Sequence, residues 1–200
     1  MKKNLLILSL ITSSLVACNN SSDVKSEQTA HMKNPLLDSF ATPYQVPPFD
    51  LIEESHYSPA IVKGIELANI EIQNIVNNKE TPSFSNTIAA LDASGSVLTN
   101  ITSIFFNLLG ANKSDKMQEI AQEISPLLSK FQDDKYLNEA LFNRVKAVWD
   151  NKESFNLNTE DATLLEKTYK AFVRSGANLN EAQKARLRAV NEELSLTSLK

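Results

Sequence analysis

The sequence has few of the residues on which many enzyme sites and secreted folds depend. It contains one cysteine, Cys18, so no disulfide can form within the chain and the fold must depend on packing alone. Four glycines in 200 residues provide no glycine-rich loop that could cradle a phosphate. These shortages exclude a disulfide scaffold and the common nucleotide-binding loops.

Histidine is almost as rare as cysteine. Neither His31 nor His56 begins the H-E-x-x-H pattern that places two zinc-binding imidazoles one helical turn apart. A serine hydrolase would need a histidine and a G-x-S-x-G frame, and Ser94-Gly95-Ser96 lacks that frame. We interpret His56 as a capping or packing residue near a helix start. Taken alone, the residues indicate no catalytic and no metal-binding position.

Carboxylate pairs are common, but none is singled out as a general acid and base. Most of them fall at predicted helix ends or faces, where a solvated surface role is the default. The four pairs are Glu53–Glu54, Asp133–Asp134, Glu160–Asp161 and Glu192–Glu193.

The charge balance is mildly acidic, with a formal net charge of −4. A nucleic-acid partner would require a basic face, so we predict none. The same balance argues against electrostatic membrane binding beyond a lipid anchor.

The first 17 residues have the layout of a secretory signal peptide. Lys2 and Lys3 are basic, residues 5–11 are apolar except for one serine, and small residues follow. A transmembrane helix needs about 20 apolar residues, more than this run supplies. We therefore predict that residues 1–17 are a signal peptide.

Cys18 directly follows Leu15-Val16-Ala17, a pattern that resembles a bacterial lipobox. The resemblance implies lipidation of Cys18 and anchoring of the mature chain, since each buried methylene contributes about 0.8 kcal/mol. An ordinary signal peptide with a buried thiol is the alternative. Asn19 after the cysteine favours the periplasmic side of the outer membrane. Residues 18–33 are polar and predict a flexible tether, which places the folded domain at 34–200.

The folded part is predicted to be all-α. Prolines and aromatics dominate residues 34–57, and Phe40, Tyr44 and Phe49 are expected to pack this extended arm onto a helical body. Apolar residues then recur at three- and four-residue steps. We predict six helical units at 58–78, 83–112, 114–131, 135–151, 158–176 and 180–200.

Several details of these helices are predicted as well. The unit at 83–112 is expected to be one long helix whose apolar run is core, with a partner groove as the alternative. Ser114 is an expected N-cap, and Pro126 should kink or break the helix that follows it. Gln183 stands in the capping-box position relative to Asn180.

The last helix carries an apolar stripe of Leu187, Val190 and Leu194 that has no terminating glycine or proline. We interpret Lys200 as a truncation, with a natural end as the alternative.

Four phrases resemble the N-terminal region of the thimet-oligopeptidase family, in its bacterial peptidyl-dipeptidase branch. The phrases are PPFD, F-x-N-T-I-x-A-L-D-x-S-G, FFNL and FVRSGANL, in family order, and the resemblance extends from about residue 34 to residue 200. It implies the all-helical N-terminal lobe of a two-lobed zinc metallopeptidase that removes C-terminal dipeptides from oligopeptides. In that family an H-E-x-x-H helix and a downstream glutamate bind the zinc, and the N-terminal helices wall a substrate channel.

The zinc-bearing part of that family is absent here, so no catalytic or metal residue is transferred to any position. The chain alone is expected to be inactive, with zinc bound by the missing part. The alternative is a non-catalytic helical lipoprotein that binds peptide or a protein partner.

Overall fold

The structure is a computed structural model that describes residues 34–197. Over this range all regular secondary structure is helical, as the sequence predicts, and the range lies within one compact unit. The predicted signal peptide, the tether at 18–33 and the lipidation at Cys18 lie outside the described residues. Because the unit has its own apolar core, it meets the usual criterion for independent folding.

The N-terminal arm contains three 3₁₀ turns, Pro35–Leu37, Pro43–Gln45 and Glu54–His56. The expectation that aromatic residues anchor it is wrong for two of them, since Tyr44 is 99% exposed and Phe49 is 51% exposed. The arm is anchored instead by buried Leu36 and by Asn34, whose Nδ2 donates to the His56 carbonyl at 2.7 Å. The arm is therefore anchored by one buried aliphatic side chain and one amide hydrogen bond, and not by these two aromatic rings.

Helix α1, Tyr57–Asn77, forms the centre of the unit. The predicted periodicity of apolar residues is confirmed in this helix, because Ile61, Ala68, Ile72 and Ile75 are buried. Gly64 lies on the same face and allows close contact with α3, Ser96–Ala111. A Cβ added at Gly64 would lie 3.1 Å from the Leu98 Cα.

The expected single helix at 83–112 is divided into two. A π-helical turn, Phe84–Ala89, leads into the short helix α2, Ala90–Ala93, before α3 begins. Gly95 separates α2 from α3 with φ +73°, and its N–H donates to Glu71 Oε2 at 2.6 Å. A glycine adopts this left-handed conformation without the Cβ penalty, which explains the break.

By length and composition alone, the stretch Phe84–Ala111 is apolar enough to cross a membrane. Gly95 interrupts it, and it contributes Ile88, Ile101 and Phe105 to the buried core. The core interpretation of its apolar run therefore fits better than the partner groove, although Phe106 is 40% exposed.

Helix α4, Asp115–Tyr136, begins at the predicted cap, where Ser114 Oγ accepts from the Met117 N–H at 3.0 Å. It runs through Pro126 as one helix, so the predicted break does not occur, and the alternative of a kink stays a prediction. Proline removes one backbone hydrogen bond, but Ile124 and Phe131 are buried on either side of it. Their packing holds the helix together across this defect.

Three further helices complete the unit: α5, Glu139–Asp150; α6, Thr159–Arg174; and α7, Glu181–Thr197. Between α5 and α6 lies a stack of aromatic rings. The Trp149 and Tyr169 ring centroids are 4.7 Å apart at an interplanar angle of 2°. Phe142 lies between Tyr169 and Phe172, at 6.1 Å and 6.0 Å respectively. The stack fixes α6 against α5.

The predicted capping box of α7 is confirmed. The Gln183 N–H donates to Asn180 Oδ1 at 3.0 Å, and the Asn180 N–H donates to Gln183 Oε1 at 3.1 Å. Two amide groups that α7 leaves free at its start are thereby satisfied.

Candidate functional site

Asp133, Asp134 and Glu192, from two of the four carboxylate pairs, line the groove between α4 and α7. A cavity of about 590 Å³ lies there. Pro126 and Leu127 contribute apolar surface to its lining. The polar lining residues are Ser129, Lys130, Asp133, Asp134, Arg188 and Glu192.

Polar contacts in this groove hold α7 on α4. Asp134 Oδ1 accepts from Arg188 Nη1 at 2.7 Å, and its other oxygen pairs with Lys130. Asp133 is 8% exposed and accepts from Asn191 Nδ2 at 2.6 Å. Because cations and an amide engage these carboxylates, they act as a structural joint and not as an acid–base couple.

The other carboxylates are dispersed. Glu54 Oε1 accepts from Ser114 Oγ at 2.5 Å, which joins the arm to the start of α4. Glu160 and Asp161 lie in the first turn of α6, where acids complement the helix dipole. The sequence expectation of solvated or helix-end roles is confirmed for these residues.

His56 has the capping role that we predicted. The Glu53 N–H donates to His56 Nδ1 at 3.0 Å, within a capping box that precedes α1. His31 lies outside the described residues.

Residues 34–197 contain no group of three or more His, Cys, Asp or Glu side chains that could hold a metal ion. The part of the chain that the structure describes therefore does not fit the zinc that the family resemblance implies, and no chemical step is assigned through zinc.

A second cavity, of about 580 Å³, lies between the N-terminal arm and α3. Leu36, Phe40 and Ile104 give it apolar walls, and Asn100 and Ser103 add polar groups. Tyr44 and Gln45, which also line it, have φ values of +59° and +57°. Asp38 and Ser39 also line it, so the cavity presents both apolar and polar groups.

One buried polar residue, Arg144 on α5, was missed by the sequence reasoning. It is 9% exposed, and its guanidinium donates to the Asn78 carbonyl at 2.9 Å and to Asn86 Oδ1 at 3.1 Å. It also donates to Thr87 Oγ1 at 3.3 Å, so it fixes the α1–α2 connection onto α5. The signal was present, because Arg144 follows Leu141 by three residues and precedes Val148 by four, on the apolar face.

Lys135 on α4 was also missed. Its side chain lines a cavity of about 350 Å³ together with Ser94, Thr99 and Lys167. Burial lowers the pKa of Lys135 below its usual value, and Asp92 opposes that shift.

The geometry thus defines an all-helical unit with several open clefts and, within the described residues, no metal-binding cluster. No protein-family model matches the chain. It is 42% identical over 160 residues to the Dipeptidyl carboxypeptidases of Salmonella typhimurium and of Escherichia coli. It is also 27% identical over 164 residues to Oligopeptidase A of Salmonella typhimurium.

These matches cover 80% to 82% of this chain but only 24% of each of those relatives. The chain is therefore homologous to the N-terminal quarter of the bacterial Dipeptidyl carboxypeptidases, and it spans about a quarter of their length.

Proposed function

We propose that this chain is the N-terminal part of a zinc metallopeptidase, a peptidyl-dipeptidase that releases C-terminal dipeptides from oligopeptides. The observation that carries the proposal is the 42% identity over 80% of the chain to two Dipeptidyl carboxypeptidases. The zinc and the catalytic groups belong to the part that corresponds to the remaining three quarters of those relatives.

Within such an enzyme the helical unit walls the substrate channel. Two features support this role. The unit is a continuous packed body, with large side chains such as Phe105 and Phe172 fully enclosed, so it can serve as a rigid wall. Its two larger clefts are open and lined by both apolar and polar groups, which suits peptide chains of mixed sequence.

The enzyme functions in the cell envelope in this proposal. A signal peptide at residues 1–17 directs export, and a lipid on Cys18 anchors the protein to the periplasmic side of the outer membrane through the tether at 18–33. The support is the sequence alone, namely the basic start, the short apolar run and the cysteine after Leu15-Val16-Ala17.

A chimera tests the peptidase proposal. Residues 34–200 replace the matched first quarter of the Escherichia coli Dipeptidyl carboxypeptidase, and mass spectrometry follows dipeptide release from the carboxyl end of an oligopeptide. We expect release by the chimera, loss of release with a chelator, recovery with zinc, and none from residues 34–200 alone. The relative without its first quarter is the matched control.

Two results would contradict the proposal. The first is stoichiometric zinc binding or peptide hydrolysis by residues 34–200 alone. The zinc site or the catalytic groups would then lie in this chain, and not in the part that corresponds to the remaining three quarters of the relatives. A folded chimera that releases nothing, while residues 34–200 bind oligopeptide, would favour the non-catalytic binding lipoprotein.

The lipid anchor is tested separately in cells that express the 200-residue chain. We expect the wild-type chain in the membrane fraction and the Cys18→Ser variant outside it. Equal distribution of the two would show that Cys18 carries no anchor.

A further inference from the structure

The inference concerns the cavity between α4, α6 and the turn that joins α2 to α3, defined here as the Lys135 cleft. It has a volume of about 350 Å³, and its lining includes Ser94, Thr99, Lys135, Lys167 and Asp92. Ser94, Thr99 and Lys135 also line a cavity of about 250 Å³. The two cavities are therefore neighbours, and Lys135 borders both.

The ammonium of Lys135 lies at this cleft. Its Nζ is 5.3 Å from the centroid of the Tyr136 ring, and Tyr136 lines the cleft. The side chain is partly buried, and this burial lowers the pKa of Lys135, whereas Asp92, another lining residue, opposes the shift. The groups that act on the ammonium thus belong to the cleft.

The Lys135 ammonium has no anion in direct contact within the described residues. Over 34–197 its interactions are the Tyr136 ring and the charge of Asp92, with no hydrogen bond and no salt bridge. Lys184, the other described lysine that is not exposed, pairs with Glu181 at 3.1 Å. Because a buried charge is costly unless it is paired, Lys135 lacks the partner that such a group normally has.

We propose that the Lys135 cleft binds a small oxyanion, namely a carboxylate or phosphate group. Lys135 and Lys167 supply two positive charges against the single negative charge of Asp92, in a chain whose formal net charge is −4. The hydroxyls of Thr99 and Thr168 add hydrogen-bond donors to the lining. The volume lies within the range of small-molecule sites, about 300–1,000 Å³. The proposal is independent of the proposed peptidase function.

Titration of residues 34–200 with inorganic phosphate tests the proposal, with sodium acetate titrated in parallel. Backbone amide NMR shifts are recorded at neutral pH, and sodium chloride keeps the ionic strength constant so that screening does not vary. We expect saturable shifts at residues 94–99 and 135–136 with at least one of the two anions.

Three variants locate the binding charge. Lys135→Met keeps the apolar stem and removes the ammonium, so we expect the dissociation constant to rise about tenfold or more. Lys116→Met is the matched control, because it removes the same charge from an exposed lysine of the same helix and should leave the constant unchanged. Asp92→Asn removes the opposing charge and should tighten binding, a gain that a damaged fold would not produce. Circular dichroism checks the fold of each variant.

Shifts that do not saturate with either anion overturn the inference, as does an equal dissociation constant in the wild type and Lys135→Met. Equal weakening by Lys116→Met and Lys135→Met also overturns it, because binding would then follow the net charge of the chain. Saturation by phosphate alone supports a phosphate ligand, and saturation by acetate alone supports a carboxylate ligand.

Discussion

The contact between α1 and α3 and the contact between α4 and α7 join helices in opposite ways. At the first, Gly64 brings the backbones together and Phe105 is completely enclosed, with its ring 5.1 Å from that of Tyr57. At the second, Arg188 and Asn191 reach across to two aspartates. The comparison shows that two helices can be joined by close backbone packing in one place and by polar side chains that reach across in another.

The largest expected effect on stability comes from removing a buried ring from the contact between α1 and α3. Phe105→Ala should lower the free energy of unfolding by about 3–5 kcal/mol, because it removes an enclosed ring and leaves a cavity. The neighbouring Phe106→Ala, at a side chain 40% exposed, should cost far less. Chemical denaturation measures both, and equal losses would show that the two rings are equally buried in solution.

Adding side-chain atoms at Gly64, in the same contact, should have the next largest effect on stability. Gly64→Val should destabilise the unit by about 1–3 kcal/mol, because a Cβ at this position would lie 3.1 Å from the Leu98 Cα and crowd the contact. Gly110→Val is the control, since a Cβ there meets nothing within 4 Å. We expect Gly110→Val to leave the melting temperature unchanged or raised. A tolerated Gly64→Val would mean that α1 and α3 are not in close contact.

Weakening the α4–α7 joint should have a smaller and local effect. Asp134→Asn removes the charge that pairs with Arg188 and Lys130, both partly exposed, so the global cost should be about 0–1 kcal/mol. Hydrogen exchange of the α7 amides should nevertheless accelerate. Asp150→Asn breaks a similar exposed pair with Lys146 on α5 and should leave α7 exchange unchanged. If the α7 amides of Asp134→Asn exchange at the wild-type rate, the ion pairs of Asp134 do not hold α7 on α4.

The smallest effect on stability is expected from changes in the apolar stripe of α7, which consists of Leu187, Val190 and Leu194. Leu194→Ser in residues 34–200 should change stability by no more than about 0.5 kcal/mol, because the side chain is already 60% exposed. Leu187→Ser, at the partly buried end of the stripe, should cost more. Thermal unfolding of the two variants measures the difference, and a large loss in Leu194→Ser would show that the stripe is covered within this unit.

Local signals in the sequence were sufficient for most of the fold. Leu141, Val145 and Val148 recur at three- and four-residue steps in the unit predicted at 135–151, and all three are buried on α5. The caps at Ser114 and Asn180 are also confirmed, because each depends on residues within three positions of one another.

Features that depend on distant residues were not predicted correctly. The break at Gly95 needs the carboxylate of Glu71 from another helix, and the survival of α4 at Pro126 needs packing on both sides. Tyr44 resembled an anchor, but its backbone conformation leaves it in solvent.

The candidate site was less accessible to sequence reasoning than the fold. The α4–α7 groove brings together Asp134 and Arg188, which are 54 positions apart. The sequence identified both carboxylate pairs, but nothing local indicates that α7 returns to α4.

The Trp149–Tyr169 stack has a practical consequence. Trp149 is the single tryptophan of the sequence, and it stacks on Tyr169 of α6 with Lys152 Nζ 4.7 Å from its ring centroid. Its emission should therefore report the separation of α6 from α5. An unfolding curve recorded by tryptophan fluorescence would not detect detachment of α7, so a mismatch between that curve and one from circular dichroism would measure how independently the last helix melts.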